Sequence, residues 1–183
     1  MRYAKQYSSK IAGAETNTLI GLAKLGHQVG WISKLGDDEF GESILSFVRG
    51  EGVDVSQVNK TSNASTGLFF KEIENEKSVN IYYYRKNSAA SLLASQDIDD
   101  SYIQNSKFLY ITGITPALSE TCREMIFHAI EVAKKADVQV IFDPNLRRNL
   151  WSEDEARKTL LELSKRSDIV LPGINEGKFL FNQ

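Results

Sequence analysis

Apolar positions along this chain alternate between helical and strand periods. Residues 13–25 carry them at helical spacing, and Gly26 supplies a stop. Residues 29–35 form a short apolar run of strand character. Asp37 is placed to cap a second helix, with Phe40, Ile44, Phe47 and Val48 on one stripe. The character then changes. Residues 67–73 and 79–85 are β-branched and aromatic, and the polar stretch 74–78 between them predicts an antiparallel hairpin. Beyond it the alternation resumes, with a strand at 108–111 and a helix opened by Ser119 that carries Cys122, Met125, Ile126, Ala129, Ile130 and Ala133. Lys134 and Lys135 suit that helix's C-terminal dipole. Further strands are predicted at 138–142 and 168–171, a capping box at 152–155 and a helix from 175 to 181.

Strands alternating with helices predict an α/β fold, a parallel sheet with helices on both faces. The hairpin, at about residues 66–86, is expected as a small β-sheet inserted into this larger domain. The final strand would lie at or near a sheet edge while still apolar on both sides, so the domain is expected to be incomplete at its C-terminus, Gln183. Bare apolar surface there predicts self-association.

Composition narrows the function only by exclusion. The 183 residues are 42% hydrophobic and 25% charged, with a net charge of −2, and no basic block points to nucleic acid or an anionic membrane surface. One cysteine excludes an intramolecular disulfide, and with two histidines it excludes a zinc site of the usual Cys/His spacing. No signal-peptide core or apolar run of membrane-spanning length occurs, so a cytoplasmic location is expected.

Candidate chemistry follows from topology. Ligands of open α/β sheets bind beyond the carboxyl ends of the strands, which selects residues 112–116, 143–148 and 172–176. The second segment holds Asp143, Asn145, Arg147 and Arg148 within six positions, more polar chemistry than a connection requires. A merely polar capping loop is the plain alternative. In the hairpin, alternation puts Tyr83 and Arg85 on one face, where a phenol beside a guanidinium suits a small polyhydroxylated anion. Tyr82 and Tyr84, on the opposite face, read as sheet packing. Residues 173–178 imitate a phosphate-binding P-loop but have three residues where four are needed and Phe179 where Ser or Thr belongs. His27 and His128 have no partner nucleophile and read as structural or solvated.

Several of these segments carry a resemblance. Gly13-Ala14-Glu15-Thr16-Asn17, Lys34-Leu35-Gly36-Asp37-Asp38-Glu39-Phe40-Gly41 and Glu51-Gly52-Val53-Asp54 together resemble the ribokinase (PfkB) family of carbohydrate kinases. Within it, Tyr83-Tyr84-Arg85-Lys86-Asn87-Ser88, Thr112-Gly113-Ile114-Thr115-Pro116 and Phe142-Asp143-Pro144-Asn145-Leu146-Arg147 are similar to 2-keto-3-deoxygluconate kinases. The resemblance implies a Rossmann-like ribokinase fold with a β-sheet lid, ATP with magnesium, an acid sugar as substrate, and a homodimer through the lid. It puts Gly13, Asn17, Phe69, Tyr83, Arg85, Ile114 and Arg147 against the sugar, and Thr112 and Asn145 on the path to the nucleotide. A neutral-sugar kinase such as a fructokinase, and a non-catalytic sugar-binding protein, are the alternatives.

The chain also departs from the family pattern. Phe69 stands where some relatives have Tyr, and Ala12 replaces the first of a Gly pair. The family's Asn-x-x-Glu motif would run from Asn175 to position 178, which is Lys. The Gly-Ala-Gly-Asp segment, which in the family supplies anion hole and general base, does not occur. No catalytic residue is therefore assigned within these residues. The general base is expected beyond Gln183, and this chain alone is expected to be inactive.

Overall fold

A computed structural model of the chain describes residues 2–75 and 78–181. They fall into two compact units, divided between Ala90 and Ser91.

In the first unit, α1 (Ala14–Lys24) precedes β1 (Ser33–Gly36), α2 (Glu39–Gly50) and β2 (Val58–Thr61), and β1 and β2 pair in parallel. The expected strand from residue 29 begins regular pairing only at Ser33, with an isolated bridge of Gly30 to Asp54 ahead of it. Leu35, Leu45, Val48, Val53 and Val55 form the buried core, with Leu19, Ile20, Ala23 and Trp31 packed against it. The helix cap is Asp38, one residue later than expected: its carboxylate accepts from the Gly41 backbone N–H at 2.8 Å. The stripe is corrected with it. Gly41, Leu45 and Val48 face inward, while Phe40 and Phe47 are 55% and 42% exposed.

The hairpin is antiparallel, β3 (Leu68–Asn75) against β4 (Ser78–Tyr84), in the register Phe69 to Tyr83 and Ile73 to Val79. The turn expected at 74–78 lies partly outside the described residues. A small network ties its root to the end of β1. Asp38 accepts from the Thr66 backbone at 2.8 Å, and the Thr66 hydroxyl accepts from the Gly36 backbone at 3.0 Å. The Ala89 backbone closes the other side, donating to the Ser65 carbonyl at 2.9 Å. A side chain at Gly41 would drive its Cβ into the Gly36 carbonyl, so the residue must be glycine for α2 to start this close to β1.

Burial alone would push the Asp38 carboxyl up, but hydrogen bonds from the Thr66 backbone, the Gly41 backbone, the Thr66 hydroxyl and the Phe40 backbone outweigh it and hold it below 3.8. A carboxyl lowered on folding stabilises the folded state above its unfolded value, and that contribution is lost as pH falls through the folded value. Asp38→Asn keeps one acceptor for the cap and loses the second, so it should cost about 1 kcal/mol near neutral pH. Thermal melts should show this difference shrinking once the pH drops below about 4. A difference that stays constant down to about pH 3 would count against it.

In the second unit, α3 (Asp100–Gln104) precedes β5 (Phe108–Thr112), α4 (Glu120–Lys135), β6 (Gln139–Asp143), α5 (Glu153–Arg166), β7 (Ile169–Val170) and α6 (Ile174–Phe181). The strands form a parallel sheet in the order β5-β6-β7. Helices α4 and α5 both pack on β6, whose Val140 and Phe142 are completely buried and contribute about 1.5–3 kcal/mol each. Ser119 caps α4, and the Ser152–Glu155 capping box opens α5 as its spacing predicts. Asp168 fixes the start of β7, its carboxylate accepting from the Val140 backbone at 2.7 Å. Helix α6 is the last described element. Gln183, past which the general base is expected, lies outside the described residues, so the catalytic assignment has no counterpart among them.

Candidate functional site

The expected sugar residues Gly13, Asn17, Phe69, Tyr83 and Arg85 belong to the first unit, and Ile114, Arg147, Thr112 and Asn145 to the second. Gly13 is the N-cap of α1, with extended backbone, and its carbonyl accepts from the Asn17 backbone at 3.0 Å. The Asn17 side chain is exposed one turn into the helix.

Strand period 2 gathers the three lid residues on one face. The Phe69 and Tyr83 rings lie 5.9 Å apart, and the Arg85 guanidinium carbon stands 4.1 Å from the Tyr83 ring centroid. A cation over an aromatic ring contributes about 0.5–1 kcal/mol at a partly exposed site. On the opposite face Phe70 meets Tyr84 and Tyr7 edge-on, with centroids at 5.6 and 5.3 Å, and the Tyr82 hydroxyl donates to Glu72 at 2.9 Å. Farther out on the Tyr83 face, Ile73, Val79 and Ile81 are exposed.

In the second unit the expected site residues sit at the carboxyl ends of β5 and β6, where Thr112 pairs with Asp143. Thr112 is buried, and its hydroxyl accepts from the Ile114 backbone at 3.3 Å. The Gly113 backbone donates to the Asp143 carbonyl at 2.9 Å. The Asp143 carboxylate accepts from the Asn145 backbone at 3.1 Å, the Asn145 side-chain amide at 3.2 Å and the Tyr110 hydroxyl at 3.3 Å. Asn145 is thereby held at φ +36°, in the left-handed region that an amide side chain tolerates better than most.

The next residue is held from another loop. The Leu146 backbone donates to Glu176 Oε1 at 2.7 Å, while Glu176 Oε2 accepts from the Gly173 backbone at 2.8 Å. Arg147 follows with an exposed side chain. The two adjacent arginines divide here. Arg148 pairs with Glu153 and lies over the Phe179 ring at 5.1 Å, as Arg157 does at 4.8 Å, so it serves the packing of α5 and α6.

Glu176 is the residue that the motif reading passed over. Lys178, two positions on, is exposed. The spacing of Gly173 and Glu176 is that of an N-cap and its third helical residue, a signal open to inspection. Among the described residues no three His, Cys, Asp or Glu side chains gather as a metal site. No helix among them is long and apolar enough to cross a membrane.

The sequence profile of pfkB family carbohydrate kinases matches residues 1–183. The chain belongs to this family. Among curated relatives, a 2-dehydro-3-deoxygluconokinase of Bacillus subtilis is 40% identical over 176 residues, covering 95% of this chain and 54% of the relative. A 5-dehydro-2-deoxygluconokinase of Clostridium perfringens is 37% identical over 170 residues, covering 92% and 50%. The crystal structure of a sugar kinase from Pyrococcus horikoshii in complex with ATP superposes with a TM-score of 0.91 at 28% identity, covering 100% of this chain and 60% of that one. The ribokinase-type α/β fold is thus established. The pfkB chain described here spans about half the length of the curated relatives it matches.

Proposed function

We propose that this chain carries the sugar-binding residues of an ATP-dependent kinase for a six-carbon keto-deoxy acid sugar, 2-keto-3-deoxygluconate. The observation that carries the reading is one guanidinium group stacked on a ring and a second on a segment with a fixed backbone. Arg85 is stacked on Tyr83, and Arg147 projects from a segment fixed by Asp143 and Glu176. A planar guanidinium matches a carboxylate with two parallel hydrogen bonds, and a neutral sugar has no use for two.

In this reading the carboxylate is held by Arg85 and Arg147, while Phe69 and Tyr83 cover the carbon chain and Gly13 with Asn17 take its hydroxyl groups. Thr112 and Asn145 lie toward the nucleotide, which supplies the phosphoryl group transferred to the terminal hydroxyl. Transfer also needs a base and preorganised donors for the transferring phosphoryl oxygens, a role that the family gives to the Gly-Ala-Gly-Asp segment. This sequence contains no such segment up to Gln183, so these 183 residues are expected to bind the sugar without turning it over.

Isothermal titration of the chain with the acid sugar, beside an ATP-coupled assay of the same sample, tests this. Binding without phosphorylation is expected. Turnover at about 1–100 per second, the ordinary kinase range, would overturn the assignment of base and anion hole.

The second reading is the 5-dehydro-2-deoxy isomer, favoured by the name of the C. perfringens relative. Both isomers carry the carboxylate, so the arginine pair serves either, and titration with each ranks them.

A further inference from the structure

We propose that Glu176 is a positioning residue for acid-sugar recognition, setting the direction of Arg147 through the backbone of Leu146. The inference rests on the reading that Arg147 takes the sugar carboxylate, and it adds how that arginine is aimed and from which loop.

Arg147 is exposed and follows a residue whose N–H is spoken for. Leu146 donates at 2.7 Å to a carboxylate thirty positions away in sequence. The same carboxylate accepts at 2.8 Å from the Gly173 backbone, at the first turn of α6. Its two oxygens therefore join the start of one helix to the loop after another strand. Helix capping alone would need only the second of these bonds.

The other end of the segment is fixed as well. Asp143 holds the Asn145 backbone and side chain, and Gly113 brings the β5 loop against Pro144. Asn145 is thus fixed by Asp143 and Leu146 by Glu176. A side chain on the residue that follows inherits their direction. Loss of the Glu176 bond should leave the Asp143 contacts in place and free the segment only on the Arg147 side.

Glutamine is the informative replacement. The two backbone N–H groups reach different oxygens of the carboxylate, and an amide puts an NH2 that cannot accept in place of one of them. Glu176→Gln keeps size and helix position and cannot keep both bonds.

Two measurements on the 183-residue chain test the proposal. In amide hydrogen exchange of the free chain, Glu176→Gln should speed exchange at Leu146 by about ten-fold or more, with Val140 unchanged as an internal control. In titrations, the variant should bind 2-keto-3-deoxygluconate about ten-fold more weakly while its affinity for fructose, a neutral ketose, is unaltered. In an Arg147→Ala background Glu176→Gln should cause no further loss, because the two residues act on one contact.

Exchange at Leu146 unchanged both in Glu176→Gln and in Glu176→Ala, which offers no side-chain acceptor at all, overturns the proposal whatever the sugar data show. So does an Arg147→Ala chain that loses acid selectivity while Glu176→Gln keeps it, or losses that simply add. If Arg147→Ala itself leaves acid-sugar affinity intact, or the parent chain binds no acid sugar, the substrate reading fails and the proposal goes with it. That outcome is recognisable from the parent and Arg147→Ala titrations alone. Should Glu176→Gln melt early enough to obscure binding, Glu176→Asp replaces it. It keeps the charge with a stem too short to span both backbone groups, and the same pattern is expected.

Discussion

Arg85→Ala and Arg147→Ala are each expected to weaken binding of 2-keto-3-deoxygluconate by at least about 30-fold, and by up to several thousand-fold. Truncating one partner of a desolvated, hydrogen-bonded charge pair costs about 2–5 kcal/mol, and each 1.4 kcal/mol is a factor of ten. Fructose, which carries no charge, should lose far less, so the ratio of the two affinities is the quantity to read. Lysine at either position should recover only part of the loss, because an ammonium brings charge without the planar fork. The two sites differ in what supports them. Arg85 leans on Tyr83, so Tyr83→Leu should reproduce a fraction of the Arg85→Ala effect, while Tyr83→Phe keeps the ring and should be mild. Equal losses for acid and neutral sugars would mean that the arginines shape the protein and do not read the carboxylate.

The second large effect is expected at a glycine. A Cβ on Gly113 would run into the Pro144 carbonyl oxygen and come within 2.6 Å of Leu160 Cδ2. Leu160 is a fully buried side chain of α5 and the carbonyl is main chain, so neither can swing aside. Gly113→Ala should therefore destabilise the second unit by about 3 kcal/mol. For a unit of this size that lowers the melting temperature by about 12–24 °C. Pro144 leads directly into Asn145 and Arg147, so whatever adjustment admits the methyl also moves the site, and acid-sugar affinity should fall with stability. Adding Leu160→Ala should not rescue the variant, because the carbonyl remains in the way. A melting temperature within about 2 °C of the parent would show that the β5 and β6 loops are looser than their contacts indicate.

Much of this arrangement could be read from residue types alone, and the exceptions have physical causes. Period-2 alternation was enough to place Tyr83 and Arg85 on one lid face, because strand geometry leaves no other option, whereas Phe69 joins them only through the register of β3 against β4. The strands β5 and β6 announced themselves by apolar runs, and Ser152 with Glu155 announced α5. Asp37 and Asp38 were indistinguishable as caps in the sequence. The choice depends on Thr66, twenty-eight positions on, whose backbone needs the second carboxylate oxygen. Strand β2 was missed because its four residues include two exposed polar side chains, and only pairing with β1 makes them a strand. Glu176 was passed over for a similar reason. Its helix-capping role is local and legible, whereas its bond to Leu146 depends on two loops meeting at the ends of neighbouring strands. Local periodicity carries the elements, and tertiary hydrogen bonds decide which of two equivalent side chains is used.

The presence of two arginines in the motifs does not show that they serve one ligand. Arg148, adjacent to Arg147, is committed to Glu153 and the Phe179 ring, which shows how readily a guanidinium in such a loop becomes structural. What decides the matter is where the substrate carboxylate goes. A crystal structure of the protein with 2-keto-3-deoxygluconate bound would show that directly. The carboxylate should lie within hydrogen-bonding distance of both the Arg85 and Arg147 guanidinium groups. A carboxylate bound away from either would contradict it.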